Sequence, residues 1–389
     1  MNLKEKRDYK YETLSELRWD DSIYKELSPC NPYYFFLPQN DKGKEEYGGG
    51  FKVSELFVNK SSGSASANDV LNISFSEKEQ RDKINDLISL SESDWRIRYG
   101  RINDSRDWTY NTAKSDAQLH KDEIHRITYR PFDIRFTCYS GISRGLYASP
   151  QSAILNQLKD RDNLAVCLVK TSRDYLFPVL VAKNIIDKTY LSPKDNASVF
   201  PLYVYKENMG KEEKIPNFDT KILSQIEKAL GEKVEPQELF DYIYAILHSP
   251  SYRERYKEFL KIDFPRIPYP TDATRYHDLS KKGADLRKLH LMEGLPNSVG
   301  VSFPAVGTLQ VDCYRWEDNR IYINSEQYFD GVPESAWNFY IGGYQPAQKW
   351  LKDRKGLTLN IEDVKHYQRI IYVLQQTERI MREIDGLNE

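Results

Sequence analysis

The chain has 389 residues, enough for two or three packed units around a sizeable core. Hydrophobic residues make up 40% and charged residues 29%, and no apolar run approaches the roughly 20 residues that a membrane span needs, so a membrane protein is excluded from the expectations. A net charge of −2 argues against a uniformly basic surface: any grip on a phosphate backbone would need cations segregated onto one face.

The polar start, Met1 to Arg7, lacks the apolar stretch of a secretory signal. Four cysteines, Cys30, Cys138, Cys167 and Cys313, lie far apart without a CxxC pair, which suits small buried hydrophobes in a reducing cytoplasm and no metal site. The 28 tyrosines serve equally well as interface and stacking surface or as ordinary core.

Along the chain, the segment up to about Asn59 is aromatic and has few helix signals; residues 32–38 are an extended stretch bounded by prolines. Residues 60–67 are small and flexible, a loop. Alternation over 70–75 predicts a half-buried strand, and Ser76 with Glu79 forms a capping box that opens a helix. Short strands are expected at 124–129, 134–139, 164–169, 179–181 and 200–205, with one helix at 150–158. The charged stretch 206–217 is the domain-boundary candidate. Helices follow at 219–230, 236–248, 251–261 and 273–291, with Pro236 suited to a first turn. A small β segment at 309–315 and 320–324 encloses the acidic turn 316–319. A long helix over 361–384 then carries Tyr367, Ile370, Ile371, Leu374, Met381 and Ile384 on one side. The chain contains no internal repeat.

Enzyme motifs are hard to find. Asn31-Pro32-Tyr33-Tyr34 is close to the Asn-Pro-Pro-Tyr loop of amino-methyltransferases, but the second proline is missing and thirty residues cannot hold an upstream S-adenosylmethionine domain. There is no GxxxxGK[ST] for a nucleotide-driven motor. Gly48-Gly49-Gly50 and Gly342-Gly343 lack the helix that a dinucleotide fingerprint requires, and no carboxylate–lysine cluster marks an Mg²⁺ nuclease. No catalytic residue is assigned.

Three blocks carry a more specific signal. The first is Ile127-Thr128-Tyr129-Arg130-Pro131-Phe132-Asp133-Ile134-Arg135, followed by Tyr139. The second runs from Leu239 through His248-Ser249-Pro250, Tyr252-Arg253 and Asp263-Phe264-Pro265-Arg266-Ile267-Pro268. The third is Ile341-Gly342-Gly343-Tyr344-Gln345-Pro346, then Lys349-Trp350-Leu351-Lys352-Asp353-Arg354-Lys355-Gly356 and His366-Tyr367. In this order and spacing the chain resembles the C-terminal specificity region of Type ISP and related Type IIG/IIL single-polypeptide restriction–modification enzymes. That resemblance implies a target-recognition module acting on duplex DNA. Its partners would be adenine-N6 methyltransferase, nuclease and translocase parts, and S-adenosylmethionine, Mg²⁺ and ATP would belong to those parts. The family's Ser-Gly-x-x-Thr-x-Arg-Asp element is altered at residues 62–69, which lack the Thr and the Arg. A start at Met1 without a catalytic half suggests a split subunit, a truncated gene or a fragment.

The candidate DNA-contacting residues are Arg130, Arg135, Arg144, Gln345, Lys349, Lys352, Arg354 and Lys355. Arginine forks suit guanine or phosphate, and glutamine suits adenine. An Arg130–Asp133 salt bridge is the structural alternative for Arg130. Residues 349–355 hold four cations against one acid, and Gly342-Gly343 offers a backbone approach point beside a phosphate strand. Residues 251–291 hold ten Lys/Arg against six Asp/Glu, with Arg253, Lys257 and Lys261 at helical spacing. The expected fold is α+β: a β-rich recognition lobe over 1–210, then a helical spacer and docking region over 211–389 with a small hairpin. The rival functions are a protein-interaction subunit that docks a separate methyltransferase, and a concealed nuclease.

Overall fold

The computed structural model describes residues 3–16, 43–100, 103–172, 177–208 and 210–387. The extended stretch 32–38, the loop 31–34 and Cys30 lie outside them. The chain divides into two compact units, Met1–Lys44 and Glu45–Glu389. The described residues of the first include a helix, Leu3–Glu16, in a stretch with few helix signals; its side chains from Glu5 onward are exposed.

The second unit is α+β, as expected. A four-stranded antiparallel sheet has the order Ser61–Ser62, Ala197–Pro201, Ala165–Val169, Val179–Ala182. Its central strand, Ala-Val-Cys-Leu-Val, is buried at every position, so both faces are covered. A second sheet pairs Ile124–Arg130 antiparallel with Asp133–Cys138 and parallel with Ile185–Ile186. At its tight connection Phe132 takes a left-handed backbone (φ 61°). The run 200–205, read as one strand, is two: Leu202 turns the chain out of the sheet, and Tyr203–Asn208 pairs instead with Lys211–Pro216. The boundary candidate 206–217 is therefore largely a two-stranded ribbon. Asn217 ties its end back to the unit, donating to the carbonyls of Asn59 and Pro201.

Local capping decides several elements. Residues 70–75 do not form a strand: the Asn68 side chain accepts from the Leu71 amide and winds Asp69–Asn72 into a helical turn. Ser76 caps Glu77–Ser89 as expected. Two helices were not foreseen, Glu92–Tyr99 and Tyr110–His120, capped by Ser91 and Thr109. They bury Trp95 against Trp108 and Tyr110. The loop 60–67 is not flexible surface, since Ser64 and Ser66 are buried and a side chain on Gly63 would strike the Asp187 backbone at 2.7 Å.

In the second half, Pro236–His248 follows the predicted bounds and is buried from Leu239 to the end. It packs on Ala273–His290 so closely that a Cβ on Gly283 would lie 1.9 Å from the Asp241 carbonyl. The long helix Ile361–Gly386 starts at a full Asn360/Asp363 capping box and lays its apolar stripe across these helices. The predicted helix 251–261 is broken at Tyr256 into Pro250–Arg255 and Lys257–Leu260. The small β segment has three strands, Arg315–Glu317, Arg320–Tyr322 and Tyr328–Asp330, with the turn tightened to Asp318-Asn319, both at positive φ. Among the described residues no helix is long and apolar enough to cross a membrane.

Candidate nucleic-acid interface

The first and third sequence blocks, more than two hundred residues apart, meet at one junction. Asp133 is almost completely buried and accepts from two guanidinium groups, Arg135 at 2.7 Å and Arg354 at 3.0 Å. Arg135 also donates to Asp353 at 2.9 Å, and Lys349 pairs with the other oxygen of Asp353. Arg130 donates to Asp187 at 2.7 Å. Aromatic rings alternate with these cations. Arg130 stacks between Tyr129 (3.7 Å) and Tyr344 (5.7 Å), and Arg135 between Tyr129 and Phe75 (both 4.3 Å). Arg354 lies between Phe75 (4.8 Å) and Trp350 (3.6 Å). The result is a ladder, Tyr344–Arg130–Tyr129–Arg135–Phe75–Arg354–Trp350. Guanidinium suits such a stack because it is planar and weakly hydrated.

Electrostatics favour the charged forms of Asp133 and Arg130, while burial raises the pKa of Asp187. Burial alone would push Asp133 toward the neutral acid, yet Arg354 and Arg135 keep its pKa below the ordinary carboxylate value. Burial likewise opposes the Arg130 charge, and Asp187 and the neighbouring phenols more than restore it. His366 fastens the last helix to the same place by a 2.8 Å bond to the Phe132 carbonyl.

This geometry redistributes the eight candidate contacts. Arg130, Arg135 and Arg354 are buried and spend their forks on carboxylates and rings. The pairing of Arg130 with Asp133 does not form either, because Asp187 takes Arg130 and leaves Asp133 to the other two arginines. Lys349 is half-buried on Asp353. Lys352 and Lys355 are exposed and make no ion pair with a described residue. Gln345 precedes the helix Pro346–Lys352, half-buried, with no side-chain cap bond. The Gly342-Gly343 approach point serves the protein itself: the Gly343 amide donates to the Leu191 carbonyl at 3.1 Å, and a Cβ on Gly342 would meet that oxygen at 2.4 Å.

The basic face expected along 253–261 is also absent. The helix break separates Arg253 from Lys257, glutamates three residues earlier pair with Lys257 and Lys261, and Arg253 is held inward on the Leu247 carbonyl. Arg144 is different. It sits exposed on the loop after Cys138, with a left-handed backbone (φ 60°). Asp116 anchors that loop from beneath, accepting from Ser140 Oγ at 2.9 Å and the Leu146 amide at 2.8 Å. Among the described residues no group of three or more His, Cys, Asp and Glu could hold a metal ion.

The sequence model of the Type ISP C-terminal specificity domain matches residues 55–383. The chain belongs to that family. Its fold is similar to three solved structures. One is of a DrdV–DNA complex (TM-score 0.71, 20% identity, 97% of this chain and 42% of that one). A second is of the ATP-dependent Type ISP restriction-modification enzyme LlaBIII bound to DNA (TM-score 0.65, 17% identity, 86% and 23%). The third is of a nuclease-deletion mutant of the Type ISP enzyme LlaGI in complex with a DNA substrate mimic (TM-score 0.70, 18% identity, 98% and 38%). At these identities the likeness concerns the fold, and the chain spans less than half the length of each. No curated protein matches significantly.

Within this specificity domain the second motif block is structural. Arg266–Ile267 pairs with Phe51–Lys52, Lys52 meets Asp263 at 2.9 Å, and Tyr252 donates to the Arg266 carbonyl at 2.7 Å. Asp241 and Arg287 form a buried pair at 2.6 Å between the two packed helices. Residues central to the junction that sequence reasoning missed are Asp187, Asp353 and Phe75. The missed residue at the Arg144 loop is Asp116. Only Gly145 offered a local signal, since a Cβ there would collide with Asp116 at 2.2 Å.

Proposed function

We propose that this specificity domain recognises a short sequence in duplex DNA for a restriction–modification enzyme whose chemistry resides elsewhere. The family match over residues 55–383, which spans all three motif blocks, carries this reading. The fold likeness to chains solved with DNA supports it. Arg144, Lys352 and Lys355 are the candidate cations with exposed heads, suited to phosphate and base contacts, and Gln345 retains an amide for adenine. Arg130, Arg135 and Arg354 act as positioning residues: they fix the third block against the strand pair of the first, with Lys349 held on Asp353 at its edge. The adenine-N6 methyltransferase, nuclease and translocase, with their S-adenosylmethionine, Mg²⁺ and ATP, would be supplied by partner regions docked on the helical half, in the cytoplasm.

The test is selection from a randomised duplex library with the full chain at low salt. One short sequence should be enriched, and its affinity should fall steeply as salt rises. Binding without sequence preference would overturn the reading.

A further inference from the structure

Beyond the ladder, the fold builds an open cleft of about 460 Å³, lined by Val58, Asn59, Lys60, Ser143, Gln151 and Ser152 among others. None of its lining residues carries a carboxylate, and Lys60 supplies a positive charge. Lys60 is held in place by the Ser54 carbonyl at 2.8 Å. The two segments that form the walls are fixed from below. On one side, Asn59 donates to Asn217 Oδ1 at 2.9 Å. On the other, Tyr139 donates to the Pro150 carbonyl at 2.7 Å, and Asp116 clamps the loop on either side of Arg144. Both Arg144 and Gln151 adopt left-handed backbone (φ 60° and 58°) in spite of their side chains. Arg144 and Ile142, both exposed, are the chain neighbours of the lining residue Ser143. Asp107, a carboxylate that feels the Arg144 charge, is paired with Arg106 at 2.9 Å.

We propose that this cleft, with Arg144 next in the chain to its lining residue Ser143, receives base edges of duplex DNA and is where the domain reads sequence. The inference rests on the function proposed above and adds a place and residues to it. The Gln151 side chain donates one amide hydrogen to Ser149 Oγ at 2.8 Å, and its side-chain oxygen Oε1 has no bond to a described residue. The amide therefore retains a donor and an acceptor, the pair that adenine N7 and N6 require. The Arg144 fork fits guanine O6 and N7, and exposed Ile142 and Val58 (44% and 56%) offer apolar contact to thymine methyl groups. Rigid backing matters because a base-reading side chain on a loose loop would lose its register.

Library selection repeated with Arg144→Lys and Gln151→Ala tests this, alongside a photo-reactive amino acid at Ile142 exposed to the selected duplex. Each substitution should relax the selected sequence at one or two positions, with a loss of discrimination of about tenfold or more there. Position 142 should cross-link to a base. Unchanged sequence preference in both variants overturns the assignment, even if cross-linking occurs, because the cleft would then touch DNA without reading it. Relaxed preference without a cross-link supports reading at Arg144 and Gln151 but overturns the placement of Ile142 against a base. A parent chain that selects no sequence removes the function itself, an outcome distinct from failure of the cleft alone. Matching thermal melting of parent and variants separates a lost contact from a lost fold.

Discussion

The turn at 130–135 and the loop at 140–148 follow one another on the same chain and both offer arginine, yet they use it in opposite ways. At the turn, Arg130 and Arg135 are drawn inward by Asp187, Asp133 and Asp353 and sandwiched by rings. At the loop, the buried acid Asp116 binds Ser140 and the backbone instead, so Arg144 stays outside. The difference lies in which acids reach the site through the fold. A buried guanidinium needs a carboxylate and hydrogen bonds to tolerate desolvation, whereas an exposed one keeps its charge available to a ligand.

The contrast is most easily broken at the shared acid. Asp133→Ala leaves the buried Arg354 without its carboxylate and Arg135 with Asp353 alone, and should cost about 3–5 kcal/mol of unfolding free energy, read by denaturant titration. A loss below about 1 kcal/mol would show that the ladder is not a structural unit.

Acid should act next. Burial lowers the His290 pKa to about 3 and holds His248 well below the ordinary imidazole value, with Arg253 adding to both shifts. These rings stay neutral in the folded chain where the unfolded chain, near 6.5, takes up protons. Stability is therefore fully present above about pH 6.5 and falls as pH drops below it, by up to about 1.4 kcal/mol per pH unit for each histidine. Melting temperature against pH should slope downward from 6.5 to 5, and His290→Gln should flatten that slope. His277, raised mainly by its bond to Glu238, has the opposite sign: its contribution is lost as pH rises through its folded value. Its exposure keeps that effect small.

A smaller change comes from Phe75→Ala, which removes the ring shared by Arg135 and Arg354 while leaving every ion pair. About 1–2 kcal/mol should be lost. Equal losses from Phe75→Ala and Phe75→Leu would assign the effect to cation–ring contact rather than to buried area. Smallest in stability are Lys352→Ala and Lys355→Ala, expected within about 0.5 kcal/mol of the parent. Their effect should appear in DNA binding, each lowering the salt slope by about one without altering the preferred sequence. Arg354→Ala should behave in the reverse way, and a variant that affected stability and salt slope alike would blur the division.

Much of the fold was legible because its signals are local. Pro236 at a helix start, the Ser76 cap and the apolar stripe of the last helix each act within a few residues. Strands 124–130, 133–138 and 165–169 were equally plain from their β-branched runs. The failures were local contests settled by one side chain. Asn68 turned an alternating segment into a helical turn, and Leu202 divided one β run between two sheets. The candidate site was less legible. The sequence located the cations but not their partners, since Asp187 lies 57 residues from Arg130 and Asp353 lies 218 from Arg135.

From sequence alone came the α+β class, the element order of most of the chain and the three blocks that mark a specificity domain. Those depend on backbone propensity and on residue spacing, which act at short range. Tertiary structure decided which positive charges are buried in pairs and which remain at the surface. A guanidinium and a carboxylate attract by distance in space, and folding sets that distance without regard to separation along the chain.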